Sequence, residues 1–266
     1  MESLDQHPMN PKNPRMTDSY VQSKQNPSLA RRIRRSVKRL GRRLCWLGWS
    51  RYCPVCRSPL RRFLGSGSNP ANLRCPVCGS LERDRLAWII IAKKGLLASP
   101  RKRLLHVAPE REFACRFEAN PWIDYCSADL KDPRAMVCLD ITAMPFGEGC
   151  FDVVYCSHVL EHVPDDAKAM SESYRVLAPR GWSILQVPIT APETVEDPSI
   201  TAPAERIRLF GQDDHVRRYG PDYGDRLRKA GFEVRIINAR EVVSEQDIRR
   251  MGIMAGEDVY YCFKSG

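Results

Sequence analysis

Short apolar runs alternate with helical stretches along residues 103–264. Parallel strands can be joined only through crossover segments, which are usually helices. An alternation of strands and helices is therefore compatible with few folds. Strands are predicted at 103–107, 122–128, 136–139, 151–157, 182–188, 234–238 and 259–264, and helices at 81–97, 165–176 and 222–230. Residues 190–220 are predicted to form an irregular insertion. We therefore predict an α/β fold with a doubly wound, mostly parallel sheet of seven strands.

Two Cys-Pro-Val-Cys motifs precede this alternation. Eighteen residues separate the first pair, Cys53 and Cys56, from the second pair, Cys75 and Cys78. This spacing is typical of a zinc ribbon, in which each pair presents two thiolates to one tetrahedral ion. Because four thiolates fill the coordination shell, residues 51–80 are predicted to form a small ribbon around a structural Zn²⁺. Redox-active Cys pairs are the alternative.

Eight arginines and lysines are concentrated between residues 31 and 43. They account for most of the net charge of +10, because the rest of the chain holds 34 basic and 32 acidic residues. An apolar stripe at helical spacing runs between them: Ile33, Val37, Leu40, Leu44 and Leu47. Residues 29–50 are therefore predicted to be a basic amphipathic segment that suits an anionic membrane surface or RNA, with a solvated tail as the alternative.

Residues 1–28 are polar and rich in proline and asparagine, and they are predicted to be disordered. They hold no apolar h-region, and the chain has no run of 18 uncharged apolar residues. Neither a secretory signal nor a membrane-spanning helix is therefore predicted. The expected location is the cytoplasm, with peripheral attachment to a membrane surface left open. The sequence does not indicate an oligomeric state.

Residues 138–163 carry a specific succession of motifs. Asp140 is followed by Met144-Pro-Phe146, then by Phe151-Asp-Val-Val154 and by Leu160-Glu-His162. In order and spacing this stretch resembles the class I methyltransferases of the methyltransferase type 11 kind, and a weaker resemblance extends over residues 103–264. The resemblance implies a Rossmann-like domain over residues 81–266 that binds S-adenosylmethionine (SAM).

The resemblance assigns cofactor roles to residues just past the strand ends, where doubly wound sheets bind ligands. It implies that Asp129 accepts hydrogen bonds from the ribose hydroxyls and that Asp140 accepts one from the adenine amino group. Ile141 is expected to pack on the adenine ring, and Ser157 and His158 are expected beside the sulfonium and its methyl group. A solvated loop carboxylate is the alternative for each aspartate.

The loop after the first strand departs from the family pattern. Most such enzymes have an acidic residue followed by alternating glycines, whereas this chain reads His106-Val-Ala-Pro-Glu-Arg-Glu112. Ala108, Glu110 and Glu112 occupy the glycine positions, and His106 occupies the acidic one. A carboxylate here could face the methionine ammonium or the sulfonium, so His106, Ala108 and Glu110 are predicted to contact the cofactor. A core histidine is the alternative for His106.

Residues 206–219 in the predicted insertion resemble a stretch of related methyltransferase-like proteins that covers the active site. The resemblance makes His215 the first candidate for a general base and His158 the second. Arg217 could hold an anionic substrate, and His162 is expected to be structural. A surface loop with internal salt bridges is the alternative for the whole segment.

Together these features predict a SAM-dependent methyltransferase, with SAM and a structural Zn²⁺ as its cofactors. The methyl acceptor is not identified and could be a small molecule, a saccharide or RNA. Two alternatives remain open. One is a non-catalytic methyltransferase-like scaffold whose altered first loop no longer binds SAM, and the other is a zinc-ribbon protein that binds nucleic acid.

Overall fold

The computed structural model describes residues 29–66 and 69–266. The predicted disordered tail, residues 1–28, lies outside them. The described chain begins with helix α1 (Leu29–Cys45), which confirms the basic helix predicted there. Two short antiparallel hairpins follow, β1 (Arg51–Cys53) with β2 (Ser58–Leu60) and β3 (Leu64–Ser66) with β4 (Asn69–Arg74). The first Cys pair lies at the turn of the first hairpin, and the second pair directly follows β4.

The rest of the chain builds a sheet with helices on both faces. Its helices are α2 (Glu82–Lys93), α3 (Arg111–Phe117), α4 (Asp166–Val176), α5 (Pro203–Phe210), α6 (Tyr223–Lys229), α7 (Ala239–Val242) and α8 (Glu245–Met251). Its strands are β5 (Lys102–Val107), β6 (Ile123–Asp129), β7 (Val137–Cys138), β8 (Phe151–Ser157), β9 (Leu177–Gln186), β10 (Val195–Glu196), β11 (Arg217–Arg218), β12 (Glu233–Asn238) and β13 (Asp258–Phe263).

Seven of these strands form the central sheet in the order β12-β13-β9-β8-β5-β6-β7. Every neighbouring pair is parallel except those made by β13, which runs antiparallel to both β12 and β9. The predicted α/β fold with a mostly parallel seven-stranded sheet is therefore confirmed. The strand order reverses at β5, because the chain proceeds from β5 to β6 and β7 on one side and later continues with β8 and β9 on the other.

Four helices were not expected from the sequence: α3, α5, α7 and α8. Each has eight residues or fewer, which is too short for a helical period to stand out from chance. The predicted irregular insertion, residues 190–220, contains α5 and the small β10–β11 ladder. These elements depend on contacts with distant parts of the chain.

Two apolar clusters cover the two faces of the sheet. One contains side chains of β8, α4 and α6, including Val154, Met170 and Leu227. The other contains α2, α3 and α8 together with residues of the predicted ribbon, such as Leu60 and Phe63. The apolar side chains of residues 51–80 therefore share one core with the sheet. Their division from residues 81–266 as a separate domain stays a prediction.

Arg85 on α2 links the ribbon to the far end of the chain. Its side chain is fully buried; Nη1 donates to the carbonyl of Ser80 at 2.8 Å, and Nη2 donates to the carbonyl of Gly252 at 2.6 Å. Its guanidinium lies 4.1 Å from the ring centroid of Phe63. Gly252 ends α8 with a φ of +61°, and a Cβ there would lie 2.8 Å from the Phe63 ring. Only glycine fits this close approach without a shift of the neighbouring ring.

Asp84, one residue before Arg85, is a buried carboxylate at the start of α2. Its Oδ2 accepts a hydrogen bond from the backbone N–H of Leu81 at 2.8 Å, and Arg83 Nε lies 3.8 Å from its Oδ1. Burial, together with the negative charge of Glu110, raises the pKa of Asp84 to about 7. The folded protein therefore takes up a proton at Asp84 at a higher pH than the unfolded chain does.

Asp84→Asn is expected to remove this source of pH dependence. The parent loses stability as the pH rises from about 4 to about 7, because the unfolded chain releases the proton first. The free energy of unfolding of the variant, relative to the parent, should increase between pH 5 and pH 8 by on the order of 2 kcal/mol. Urea denaturation in the presence of Zn²⁺ measures it. A difference that stays constant over this range would contradict the raised pKa.

Candidate functional site

A crevice opens where the carboxyl ends of β5, β6 and β8 meet at one edge of the sheet. β5 pairs in parallel with β6 on one side and with β8 on the other, so the loops that follow these strands leave the sheet together. The strand order reverses at this point, and open α/β sheets bind ligands at such a switch. The residues predicted to hold SAM follow these strands and the neighbouring β7.

Asp129 ends β6 and Asp140 follows β7, and both have the same hydrogen-bonding arrangement. Asp129 Oδ1 accepts from the backbone N–H groups of Lys131 and Asp132, both at 2.7 Å. Asp140 Oδ1 accepts from the backbone N–H and the hydroxyl of Thr142, both at 2.8 Å. Among the described residues neither Oδ2 has a hydrogen-bond partner. Each carboxylate is thus held in place through one oxygen and keeps the other for a ligand.

Ile141 and Ser157 lie deeper. Ile141 is buried in the apolar cluster of β8, α4 and α6, which also contains Met144 and Phe146, and only 6% of it is exposed. Any contact of Ile141 with a ligand ring would involve this small exposed part. Ser157 is the last residue of β8 and is also buried.

His106 belongs to the core at the end of β5. Its side chain is fully buried, with Nε2 2.7 Å from Glu110 Oε2 and Nδ1 3.2 Å from the hydroxyl of Tyr125. The rings of Phe117, Tyr125 and Tyr155 surround it edge-on. Both imidazole nitrogens have protein partners, which favours the core-histidine alternative over a direct cofactor contact. Glu110 is oriented by His106 through Oε2, and its Oε1 has no hydrogen-bond partner among the described residues.

Two residues at the crevice have left-handed backbone conformations although they are not glycines. Ala108, after β5, has a φ of +48°, and His158, after β8, has a φ of +56°. Such a conformation costs a residue with a Cβ roughly 1 kcal/mol, and it concentrates at functional sites. Ala108 therefore keeps the backbone shape that glycine provides in the family pattern. This conformation was not predictable from the residue type.

His158 forms a pair with a buried carboxylate. Its Nδ1 lies 3.2 Å from Oε1 of Glu161, which is 1% exposed. The carboxylate can orient the imidazole through Nδ1. His158 Nε2 and Glu161 Oε2 are both buried and have no hydrogen-bond partner. Glu161 belongs to the Leu-Glu-His motif, but no pattern in the sequence indicates its burial.

The insertion packs against the loop after β8. The backbone N–H of Val216 donates to the carbonyl of Glu161 at 2.9 Å, which brings His215 to this loop. His215 is buried, its Nδ1 lies 3.1 Å from the carbonyl of Phe210, and its ring packs edge-on against His162. The predicted general base thus lies beside the loop after β8, with Nδ1 engaged by the backbone.

Arg217 does not offer its guanidinium to a substrate. The side chain is buried; Nε donates to Glu196 at 2.8 Å, Nη1 donates to the carbonyls of Leu160 and Val163, and Nη2 donates to that of Pro164 at 2.7 Å. The suggestion that it holds an anionic substrate is therefore wrong. These bonds tie the insertion to the end of the loop after β8, which is a structural role.

The four cysteines of the predicted ribbon come together as its spacing requires. Their sulfur atoms all lie within 4.8 Å of one another, with Cys53 Sγ 3.8 Å from Cys78 Sγ and Cys56 Sγ 3.7 Å from Cys75 Sγ. Four thiolates around Zn²⁺ at about 2.3 Å form a tetrahedron with edges of about 3.8 Å. The donor set and its dimensions therefore fit one tetrahedral Zn²⁺.

Hydroxyl groups surround these sulfurs. The hydroxyl oxygen of Ser80 lies 3.3 Å from Cys53 Sγ and 3.2 Å from Cys78 Sγ, and that of Ser58 lies 3.2 Å from Cys56 Sγ. Hydrogen bonding with Cys53 lowers the pKa of the Cys56 thiol to about 7 and raises the pKa of the Cys75 thiol well above its usual range. The thiols of the cluster therefore differ in how readily they form the thiolate, which is the form that binds a metal.

The described part of the apolar stripe, from Val37 onward, is exposed. Val37, Leu40 and Leu44 on α1 are all more than half exposed. Among the described helices, none combines the length and the apolar character needed to cross a membrane. The predicted contact of residues 29–49 with an anionic membrane surface or RNA stays a prediction.

Comparison with known proteins connects the crevice to a family. The family described as "Methyltransferase domain" matches residues 118–185. The matched residues include β6, β7, β8 and β9 and hence Asp129, Asp140 and His158. The first loop and the insertion with His215 lie outside the match.

Two curated proteins are similar over part of the chain. Malonyl-[acyl-carrier protein] O-methyltransferase of Halorhodospira halophila is 33% identical over 146 residues, which are 53% of this chain and 44% of that protein. The 27-O-demethylrifamycin SV methyltransferase of Amycolatopsis mediterranei is 30% identical over 106 residues, which are 40% of this chain and 38% of that protein. The chain thus spans less than half the length of these relatives.

Among solved structures, the chain is similar to the 1,6-didemethyltoxoflavin-N1-methyltransferase of Burkholderia thailandensis, crystallised with 1,6-didemethyltoxoflavin and S-adenosylhomocysteine. The TM-score is 0.46 at 16% identity, and the similarity covers 68% of this chain and 77% of that one. The sequence similarity to the methyltransferase-domain family thus covers β6, β7, β8 and most of β9.

Proposed function

We propose that this protein transfers a methyl group from SAM to an oxygen atom of a small or carrier-bound acceptor. One observation carries the proposal: Asp129 and Asp140 follow adjacent strands, and each keeps Oδ2 free while Oδ1 is held by the chain. Both aspartates lie within the residues that match the methyltransferase-domain family. Exposed Asp197 has the same hydrogen bonds from Ser199, so the turn alone does not indicate a ligand. What distinguishes Asp129 and Asp140 is their position at the carboxyl ends of adjacent strands, where open α/β sheets bind ligands.

These residues suit the two ends of adenosine. Asp129 Oδ2 would accept hydrogen bonds from the ribose hydroxyls, and Asp140 Oδ2 would accept one from the adenine amino group. Glu110, held by His106, would face the positive charges of the methionine end through its Oε1. Bound SAM supplies an activated methyl group on a sulfonium sulfur. The residues of this chain would orient the acceptor in line with that methyl group.

His158 is better placed than His215 to act as the general base. Its Nδ1 lies 3.2 Å from Oε1 of Glu161, and its buried Nε2 has no protein partner. A histidine held by a carboxylate in this way can accept the proton of a hydroxyl acceptor as the methyl group is transferred. Glu161 would fix the orientation of the ring, which makes it a positioning residue.

An oxygen acceptor is supported by the two curated relatives, because both of their names denote transfer to oxygen. The insertion over residues 190–220 packs on the loop after β8 and would contribute one wall of the acceptor site. A non-catalytic scaffold remains the competing hypothesis, since the first loop has no glycine at Ala108 or Glu110. Binding of SAM decides between them.

We also propose a structural Zn²⁺ on Cys53, Cys56, Cys75 and Cys78. The observed sulfur separations support it, as does the absence of a fifth donor among the described side chains within this cluster. Because Phe63 and Leu60 of the ribbon lie in the core shared with α2 and α8, the metal would stabilise the whole described fold.

Asp129→Asn and Asp140→Asn are each expected to weaken SAM binding by roughly 10- to 100-fold, because each loses one acceptor for a ligand while Oδ1 can still hold the loop. Isothermal titration of the full chain with SAM measures the dissociation constant. Asp132→Asn serves as the matched control, because both oxygens of Asp132 are bound by Arg134 on the protein surface. No heat of binding to the parent would overturn the methyltransferase proposal in favour of the scaffold.

His158→Asn is expected to leave SAM affinity unchanged and to lower methyl transfer by roughly 10²- to 10⁴-fold, the usual effect of removing a general base. Asparagine tolerates the left-handed backbone of this position, so the loop should keep its shape. Transfer of label from methyl-tritiated SAM into an extract of the source cells gives the rate. A variant that transfers label as fast as the parent would exclude His158 as the base.

Cys75→Ser is expected to abolish stoichiometric zinc binding at the ribbon and to lower the melting temperature of the whole described fold. Cys115→Ser, at an exposed cysteine outside the cluster, should behave like the parent. Metal analysis together with circular dichroism at increasing temperature measures both effects. If the parent binds no zinc, or if the Cys75→Ser variant melts like the parent, the structural role is wrong.

A further inference from the structure

We infer that Glu161, His162 and His215 form a second metal site, separate from the four cysteines, for a divalent first-row transition metal. The site lies where the insertion meets the loop after β8. One potential ligand atom from each of the three residues lies within 4.8 Å of the other two. Glu161 and His215 are buried, and His162 is partly exposed. Glu161 and His162 are adjacent, and His215 lies more than 50 residues later in the sequence. The hydrogen bond between Val216 and Glu161 joins the two segments.

Both histidines have an oxygen atom beside Nδ1. His215 Nδ1 is hydrogen-bonded to the carbonyl of Phe210 at 3.1 Å, and His162 Nδ1 lies 3.2 Å from Oδ2 of Asp214. A carbonyl oxygen can only accept, so Nδ1 of His215 is the donor, and in the neutral ring its Nε2 carries the lone pair. Ligating histidines in metalloproteins have this arrangement, with the second nitrogen bound to a carbonyl or carboxylate.

Glu161 lacks the positive partner that its burial requires. The residue is 1% exposed, its Oε2 has no hydrogen-bond partner, and its one ion pair among the described residues is with His158 through Oε1. A buried carboxylate oxygen without a partner carries a desolvation cost that is not offset. The nearby arginine, Arg217, directs its guanidinium to backbone carbonyls and to Glu196 instead. A cation bound at Oε2 would supply the missing partner.

The surrounding structure is rigid enough to hold such a site. Arg217 fixes the backbone on both sides of Glu161 and His162, because it binds the carbonyls of Leu160 and Pro164. Asp166 lies 3.8 Å from Arg217 and receives further hydrogen bonds from Tyr219 and Arg226. These interactions fix the backbone that carries Glu161 and His162, and Oε2 of Glu161 remains a buried polar atom without a partner.

The donor set selects the type of metal. Two imidazoles and one carboxylate suit Zn²⁺, Fe²⁺, Mn²⁺ or Co²⁺, whereas Mg²⁺ and Ca²⁺ prefer oxygen ligands alone. Three protein ligands leave coordination positions open for water or for an oxygen of another molecule. Because Glu161 also holds His158, the metal would lie next to the proposed general base and could bind the acceptor oxygen. This last role rests on the proposed function, whereas metal binding itself does not.

The test uses the full chain, stripped of metal and then dialysed against Zn²⁺. The parent is expected to retain about two zinc ions per chain, one on the thiolates and one on this site. Glu161→Gln and His215→Asn are each expected to retain about one, and Asp213→Asn, a control in the same loop, about two. Replacement by Co²⁺ identifies the ion that is lost, because only the cysteine site gives intense sulfur-to-cobalt charge-transfer absorption.

Thermal unfolding keeps the test decisive if a variant folds poorly. Glu161→Gln removes a buried charge and nearly conserves shape, so without metal it should melt at or above the temperature of the parent. Added Zn²⁺ should then raise the melting temperature further in the parent than in the variant, because only the parent can bind the second ion. A parent that holds one ion per chain, or a Glu161→Gln variant that keeps two, overturns the inference. Loss of SAM binding alone would not affect it.

Discussion

The pairing of β5 with β6 on one side and with β8 on the other determines the rest of this structure. Because all three strands run parallel, their carboxyl ends share one edge, and the loops that follow them converge there. Each loop contributes a different chemical group: a histidine and glutamate pair after β5, a carboxylate after β6, and a second histidine and glutamate pair after β8. The sheet brings together groups that lie about 50 residues apart in sequence.

The sequence was sufficient for the features that depend on local pattern. Periodicity predicted the succession of strands and helices along the chain, and spacing predicted the cluster of four cysteines. Family resemblance predicted that Asp129 and Asp140 follow their strands. The roles of His106 and Arg217 did not, because they depend on which distant groups surround each side chain. His106 is enclosed by aromatic rings from neighbouring elements, and Arg217 meets carbonyls more than 50 residues earlier in the chain. No local pattern records such contacts.

Two buried polar groups near the crevice differ in how their charges are satisfied. The guanidinium of Arg217 has a partner for each of its nitrogens, and it serves to fix the backbone. Glu161 follows Leu160, whose carbonyl accepts from Arg217; it keeps one oxygen without any partner and has two histidine rings beside it. Full satisfaction is typical of structural polar groups, and incomplete satisfaction is typical of sites that bind or react. This contrast supports the structural role of Arg217 and the role proposed for Glu161.

The bond between Arg85 and Gly252 has a consequence for folding during synthesis. The four cysteines span at most 25 residues, so they can gather as soon as the ribosome has released that segment. The core around them is completed only by Gly252, which lies 167 residues after Arg85. At a translation rate of about 5–20 residues per second, roughly 10–30 s separate the two events. During that interval the nascent ribbon has its thiolates but lacks its C-terminal cover, so the metal would hold the early chain together before the sheet exists.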